Sequence, residues 1–115
     1  MKLLAVDPGT YNAGFYDGKL RICKTYGKKD PLEKRLYEFM VDLDYLLTLG
    51  RYTAVAFEKN FLRGIHATEA LTSQCGIIMA HAEKHECACL PIKITDWKKW
   101  AGLSTGTKKS GDKQP

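Results

Sequence analysis

Residues 3–15 read LLAVDPGTYNAGF, and residues 54–58 read AVAFE. In the first stretch an apolar run, Leu3 to Val6, stops at Asp7-Pro8-Gly9, a dipeptide-rich turn signal. A short run of this kind, apolar at every position, is the pattern of a strand buried on both faces. The second stretch repeats it: Thr53 to Phe57 is rich in β-branched and aromatic residues and ends in Glu58. Each strand therefore delivers a carboxylate at its end. If the two strands are parallel neighbours, Asp7 and Glu58 emerge together at one edge of a sheet. Two carboxylates placed so closely repel unless a cation joins them. Mg²⁺ accepts hard oxygen ligands and commonly takes one or two protein carboxylates, keeping its other positions for water and phosphate. An acidic residue at a strand end is also a common turn or cap, so it is the pairing of the two ends that points to a site.

The other elements follow outward from these strands. Ala13–Tyr16 and Lys19–Cys23 flank Asp17-Gly18, a strong hairpin signal, so the first three strands form an antiparallel meander. Asp30 is placed to cap a helix with Pro31 in its first turn, and Leu32, Leu36, Phe39, Leu43, Leu46 and Leu47 recur at helical spacing up to Gly50. A second helix spans residues 65–86, with an apolar stripe of Leu71, Cys75, Ile78, Met79 and Ala82. Its small residues, Ala67, Ala70, Gly76 and Ala80, permit close approach by another element. Leu90–Ile94 is a fifth strand, and Thr95-Asp96 caps a short helix holding Trp97 and Trp100. The order βββ-α-β-α-β-α predicts an α/β domain over residues 1–102: a mixed sheet of five strands, antiparallel then parallel, with flanking helices. Residues 103–115 form a basic, glycine- and lysine-rich tail.

Composition narrows the function. The chain has 115 residues, 18 of them basic and 13 acidic, for a net charge of +5. The basic excess lies late, at Lys93, Lys98, Lys99, Lys108, Lys109 and Lys113. Its sign favours a polyanion, because each neutralised phosphate releases condensed counterions. No apolar run approaches the ~20 residues that cross a bilayer, and the interruption at Asp7-Pro8 does not fit a secretory signal, so a cytoplasmic location with no membrane partner is expected. His81, His85, Cys87 and Cys89 cluster in sequence, but Cys87 and Cys89 are one residue apart, against the two to four usual between zinc-binding cysteines. The four cysteines are expected to be free thiols.

These residues carry a resemblance. LLAVDPGTYNAGF resembles the first-strand motif of RuvC-type Holliday junction resolvases, nucleases of the RNase H-like superfamily. AVAFEKNFLRG (54–64) resembles that family's fourth-strand motif, with a glutamate and an aromatic residue three positions later. ALTSQCGIIMAHAEKHECACLPIKIT (70–95) is similar to the helix and strand that follow. DWKKWAGLSTGTKKSGDKQP (96–115) resembles the lysine- and glycine-rich segment of bacteriophage members. The resemblance implies a metal-dependent endonuclease acting on four-way or other branched DNA as a homodimer packed through the 65–86 helix. It implies that Asp7 and Glu58 bind Mg²⁺ or Mn²⁺, that Lys113 lies near the scissile phosphate, and that Phe61 stacks at the junction. Lys59, Arg63, Lys98, Lys108 and Lys109 would contact backbone phosphates. The family also carries two further acids on a final helix. This sequence lacks them, so the reading expects that helix to be missing and the carboxylate set to be incomplete. Two alternatives belong to other classes: a catalytically impaired junction-binding protein with this fold, and a phosphate-binding domain of the actin and sugar-kinase superfamily, which predicts further glycine-rich nucleotide loops.

Overall fold

A computed structural model describes residues 2–58 and 65–92, with the backbone alone for 65–68. The elements are β1 (Leu3–Asp7), β2 (Asn12–Tyr16), β3 (Arg21–Thr25), α1 (Leu32–Gly50), β4 (Ala54–Glu58), α2 (Ile65–Lys84) and β5 (Ala88–Ile92). They form one sheet in the order β3-β2-β1-β4-β5. β2 is antiparallel to β1 and β3, whereas β1, β4 and β5 run parallel. Parallel neighbours need crossover connections, and α1 and α2 supply them. The strands buried on both faces, β1 and β4, are central neighbours. This is why their sequences read as unbroken apolar runs.

Successive strand residues point to opposite faces. One face presents Leu4 and Val6, Ala13 and Phe15, and Val55 and Phe57, which join Phe39, Leu43, Leu46 and Leu47 of α1 and Ile78 and Ala82 of α2 in a single core. Both helices thus cover the same side. Asp7, Gly14, Cys23 and Glu58 belong to the other side by register. Asp44, within α1, ties that helix to the C-terminal end of α2: its Oδ1 lies 2.8 Å from His85 Nε2 and accepts from Lys84 Nζ at 3.0 Å.

Several boundaries differ from the sequence expectation, each for a local reason. The Asp17-Gly18 hairpin has a four-residue loop, so β3 begins at Arg21 and not Lys19. Asp17 builds this loop: its Oδ1 accepts from the amides of Lys19 (3.0 Å) and Leu20 (2.6 Å), while Gly18 takes a φ of +96° that suits glycine. Asp30 does not cap α1. The cap position is Pro31, with no side-chain cap bond, and the Asp30 carboxylate instead pairs with Lys34 at 3.4 Å. The end of α1 at Gly50 is as expected, and the residue after it, Arg51, is left-handed. α2 stops at Lys84, two residues early, and Glu86 takes a positive φ. β5 starts at Ala88, because the Ala88 amide donates to Thr53 and its register pairs it with Ala54. Pro91, which has no amide hydrogen, is accommodated because β5 is an edge strand. Met79 is 49% exposed and does not join the core. The short helix at Trp97 and Trp100, residues Lys93 and Ile94, and the 103–115 tail lie outside the described residues.

The Asp17 loop gives a pH prediction. Tyr52 donates its hydroxyl to Asp17 Oδ2 at 2.7 Å, and this bond and the two amides lower the Asp17 pKa to about 2. The folded value lies below the unfolded one of roughly 3.9, so the contribution is complete above that value and lost as pH falls through about 2. Urea midpoints measured at neutral pH and across this acid range are expected to fall less for Asp17→Asn than for the native chain. An equal fall in both would exclude Asp17 as a source of the acid sensitivity.

Candidate metal centre

The register of β1 on β4 runs from Leu3↔Ala54 to Val6↔Phe57. One further step along both strands sets Asp7 beside Glu58, on neighbouring strands spaced roughly 4.8 Å apart and on the same face. On its other side Asp7 pairs with Gly14, Gly14 with Cys23, and Glu58 with Ile92. The two carboxylates are therefore central in a row that crosses the whole sheet. Gly14 adds no side chain beside Asp7, and a trough of about 390 Å³ runs from Asp7 past Gly14 to Tyr16, Arg21 and Cys23. Asp7 as a residue is exposed at the rim, but partial burial of its carboxyl raises its pKa above the ordinary value. Desolvation of this kind disfavours the charged form, and a bound cation would offset it.

The turn after Asp7 is held from two helices. A Cβ at Gly9 would run into the Asn12 carbonyl oxygen, so the tight return into β2 requires glycine. From α1, Arg35 donates to the Thr10 carbonyl (3.2 Å) and to the Asp30 carbonyl (3.2 Å), and its guanidinium lies 4.3 Å from the centre of the Tyr11 ring. From α2, Gln74 Nε2 donates to the Gly9 carbonyl at 3.1 Å. Sequence reasoning missed both residues. Arg35 leaves no distinctive signal, but Gln74 is a polar interruption in the apolar face of α2, and that signal was available.

Two carboxylates from adjacent strand ends fit one hard divalent cation, which fills its remaining positions with water or phosphate. Among the described residues no group of three or more His, Cys, Asp or Glu is arranged to hold a metal. His81 Nδ1 lies 3.0 Å from the Ile77 carbonyl, and His85 Nε2 lies 2.8 Å from Asp44 Oδ1. The cysteines Cys23, Cys75, Cys87 and Cys89 are free. Of the residues singled out from sequence, Asp7 and Glu58 end neighbouring parallel strands, one step beyond the Val6–Phe57 pair. Lys59, Phe61, Arg63, Lys98, Lys108, Lys109 and Lys113 lie outside the described residues. Among the described residues no helix is long and apolar enough to cross a membrane.

The strand order β3-β2-β1-β4-β5, with β2 alone reversed and both crossover helices on one face, defines an RNase H-like fold of the RuvC kind. The chain superposes on the RuvC structure of Thermus thermophilus with a TM-score of 0.78 at 19% identity, covering 94% of this chain and 74% of that one. It also matches T. thermophilus RuvC in complex with a Holliday junction substrate, with a TM-score of 0.78 at 16% identity, over 87% of this chain and 69% of that one. At these identities the likeness is one of fold. No protein-family model and no curated protein sequence matches the chain.

Proposed function

We propose that the chain is a metal-dependent, structure-specific endonuclease of the RuvC type, related to bacteriophage members, that resolves Holliday junctions or other branched DNA by phosphodiester hydrolysis. The observation that carries this reading is the placement of Asp7 and Glu58 at the ends of adjacent parallel strands, on one face of a sheet whose fold is that of RuvC. A structural neighbour in complex with a Holliday junction substrate supports branched DNA as the partner.

In this reading Asp7 and Glu58 hold Mg²⁺ or Mn²⁺. When bound, such an ion polarises the phosphoryl oxygen and lowers the pKa of a coordinated water. The chain's own residues do the rest. Asp7, held by the Gly9 turn, fixes the position of the site against the sheet, and Glu58 supplies the second oxygen donor from β4. Lys113 neutralises charge at the scissile phosphate, and Lys59, Arg63, Lys98, Lys108 and Lys109 grip the backbone. Phe61 stacks on a base exposed at the junction, a contact tolerant of sequence. Residues 1–102 form the nuclease domain and 103–115 a basic tail. Two copies pair through the outer side of α2, where Ala80 and Met79 are exposed and a Cβ on Gly76 would meet open space. A second reading, a junction-binding protein impaired in catalysis, is favoured by one fact: the described residues offer only two clustered carboxylates.

Labelled four-way junction, linear duplex and single strand, each incubated with the chain in Mg²⁺ or Mn²⁺, test the proposal. The expected result is nicking of the junction, leaving 5′-phosphate and 3′-hydroxyl ends. Tight junction binding without cutting in either metal selects the second reading, and absence of any junction preference rejects both. If the six basic residues named each contact one phosphate, junction affinity falls by roughly a thousandfold between 50 and 200 mM salt. A shallow salt slope would remove them from the interface.

A further inference from the structure

We propose that Gln74 is a positioning residue for the Asp7–Glu58 site, a role that rests on the metal-centre reading above. Gln74 is fully buried, the one buried polar side chain among the described residues. A carboxamide taken from water is unfavourable unless both ends find partners. Here the satisfaction is partial: Nε2 donates to Gly9, while Oε1 has no partner among the described residues. The orientation of the amide is not arbitrary. The Gly9 carbonyl only accepts, so the NH₂ group must face it, and a flipped amide would set two acceptors against each other.

A half-satisfied amide adds little to stability, and an apolar side chain in its place would extend the face formed by Leu71, Cys75, Ile78 and Ala82. What Gln74 provides is location. Gly9 follows Asp7 by two residues and admits no side chain, so its carbonyl is the handle by which α2 grips the turn. The same part of α2 also reaches β4. Leu71 and Cys75, on either side of Gln74 in sequence, line a cavity of about 30 Å³ with Pro8 and Glu58, enough for a single water. One stretch of helix thus bonds the chain just after Asp7 and faces Glu58 across that small cavity. Gln74 is the polar contact in that stretch, and through the turn it sets where Asp7 stands relative to Glu58.

Partners behind metal ligands typically change metal affinity by 10- to 100-fold when lost. The test is Mn²⁺ binding to the full chain without DNA, read from the free-ion signal in electron paramagnetic resonance, beside thermal melting. Gln74→Met, which keeps length and apolar bulk but removes the donor, is expected to weaken Mn²⁺ binding about tenfold or more with little change in melting temperature. Ile78→Val, a methyl deletion at a fully buried position on the same helix, is the control and is expected to bind as the native chain does. Should Gln74→Met not fold, Gln74→Asn, which draws the donor back by one methylene, is expected to weaken binding likewise. Native-like Mn²⁺ affinity in the folded Gln74 variant, or equal weakening in Ile78→Val, overturns the role. If the native chain takes up no Mn²⁺, the metal-centre reading fails and this proposal with it. That outcome is distinct from one in which the native chain binds and the Gln74 variant binds equally well.

Discussion

Asp7→Asn is expected to abolish metal-dependent cleavage while leaving the fold and junction binding intact. The substitution keeps the side-chain shape but removes the charge that a divalent cation needs. Loss of several kcal/mol of electrostatic stabilisation in the transition state corresponds to a fall of on the order of a thousandfold in rate. The fold should survive because burial already disfavours the charged form of Asp7. Neutralising it removes that cost of burial, so the metal-free melting temperature should hold or rise. The metal dependence of stability supplies a second readout. A ligand at a hundred times its Kd adds about 2.7 kcal/mol to the native protein, and this gain should vanish in Asp7→Asn. Single-turnover cleavage of a labelled junction, beside melts with and without Mn²⁺, checks both. Cleavage at the native rate would remove Asp7 from the chemistry.

Phe39→Ala is expected to have the largest effect on stability. Phe39 is fully buried at the centre of the core. Its ring stacks on Phe15 of β2 with centroids 5.9 Å apart, and meets the edge of Tyr26 at 6.5 Å. It therefore ties α1 to the strand beside β1 and to the chain leaving β3. Truncating a buried phenylalanine removes its transfer energy and leaves a cavity, at a cost of about 3–5 kcal/mol. Domains of this kind have roughly 5–15 kcal/mol in all, so the variant should melt far lower or be largely unfolded. Chemical denaturation followed by circular dichroism measures the difference. A loss below about 1 kcal/mol would mean that the core closes over the gap, against the packing described.

What was legible in the sequence was what burial writes locally. β1 and β4 are apolar on both faces, so Leu3–Val6 and Ala54–Phe57 announced themselves and carried Asp7 and Glu58 with them. β3 and β5 are mostly exposed edge strands. Their ends are set by partners: β3 by the Asp17 loop, and β5 by the Thr53 carbonyl and the register on β4. Those contacts join distant parts of the chain, and the expected boundaries were displaced by two residues. An apolar stripe on α2 that includes Met79 is too broad: Met79 is exposed, while Gln74, on the face of Ile78 and Ala82, is buried. Arg35 and Gln74 act on the Asp7 turn through backbone carbonyls 25 and 65 residues away, a relation that periodicity does not encode.

In the proposed site Asp7 and Glu58 hold a divalent cation between two strand ends. A crystal of the chain equilibrated with Mn²⁺ and measured for anomalous scattering tests it most directly. An anomalous peak within bonding distance of carboxylate oxygens from both residues is expected, lost in Asp7→Asn. Ordered Asp7 and Glu58 side chains with no peak between them at saturating Mn²⁺ would contradict it.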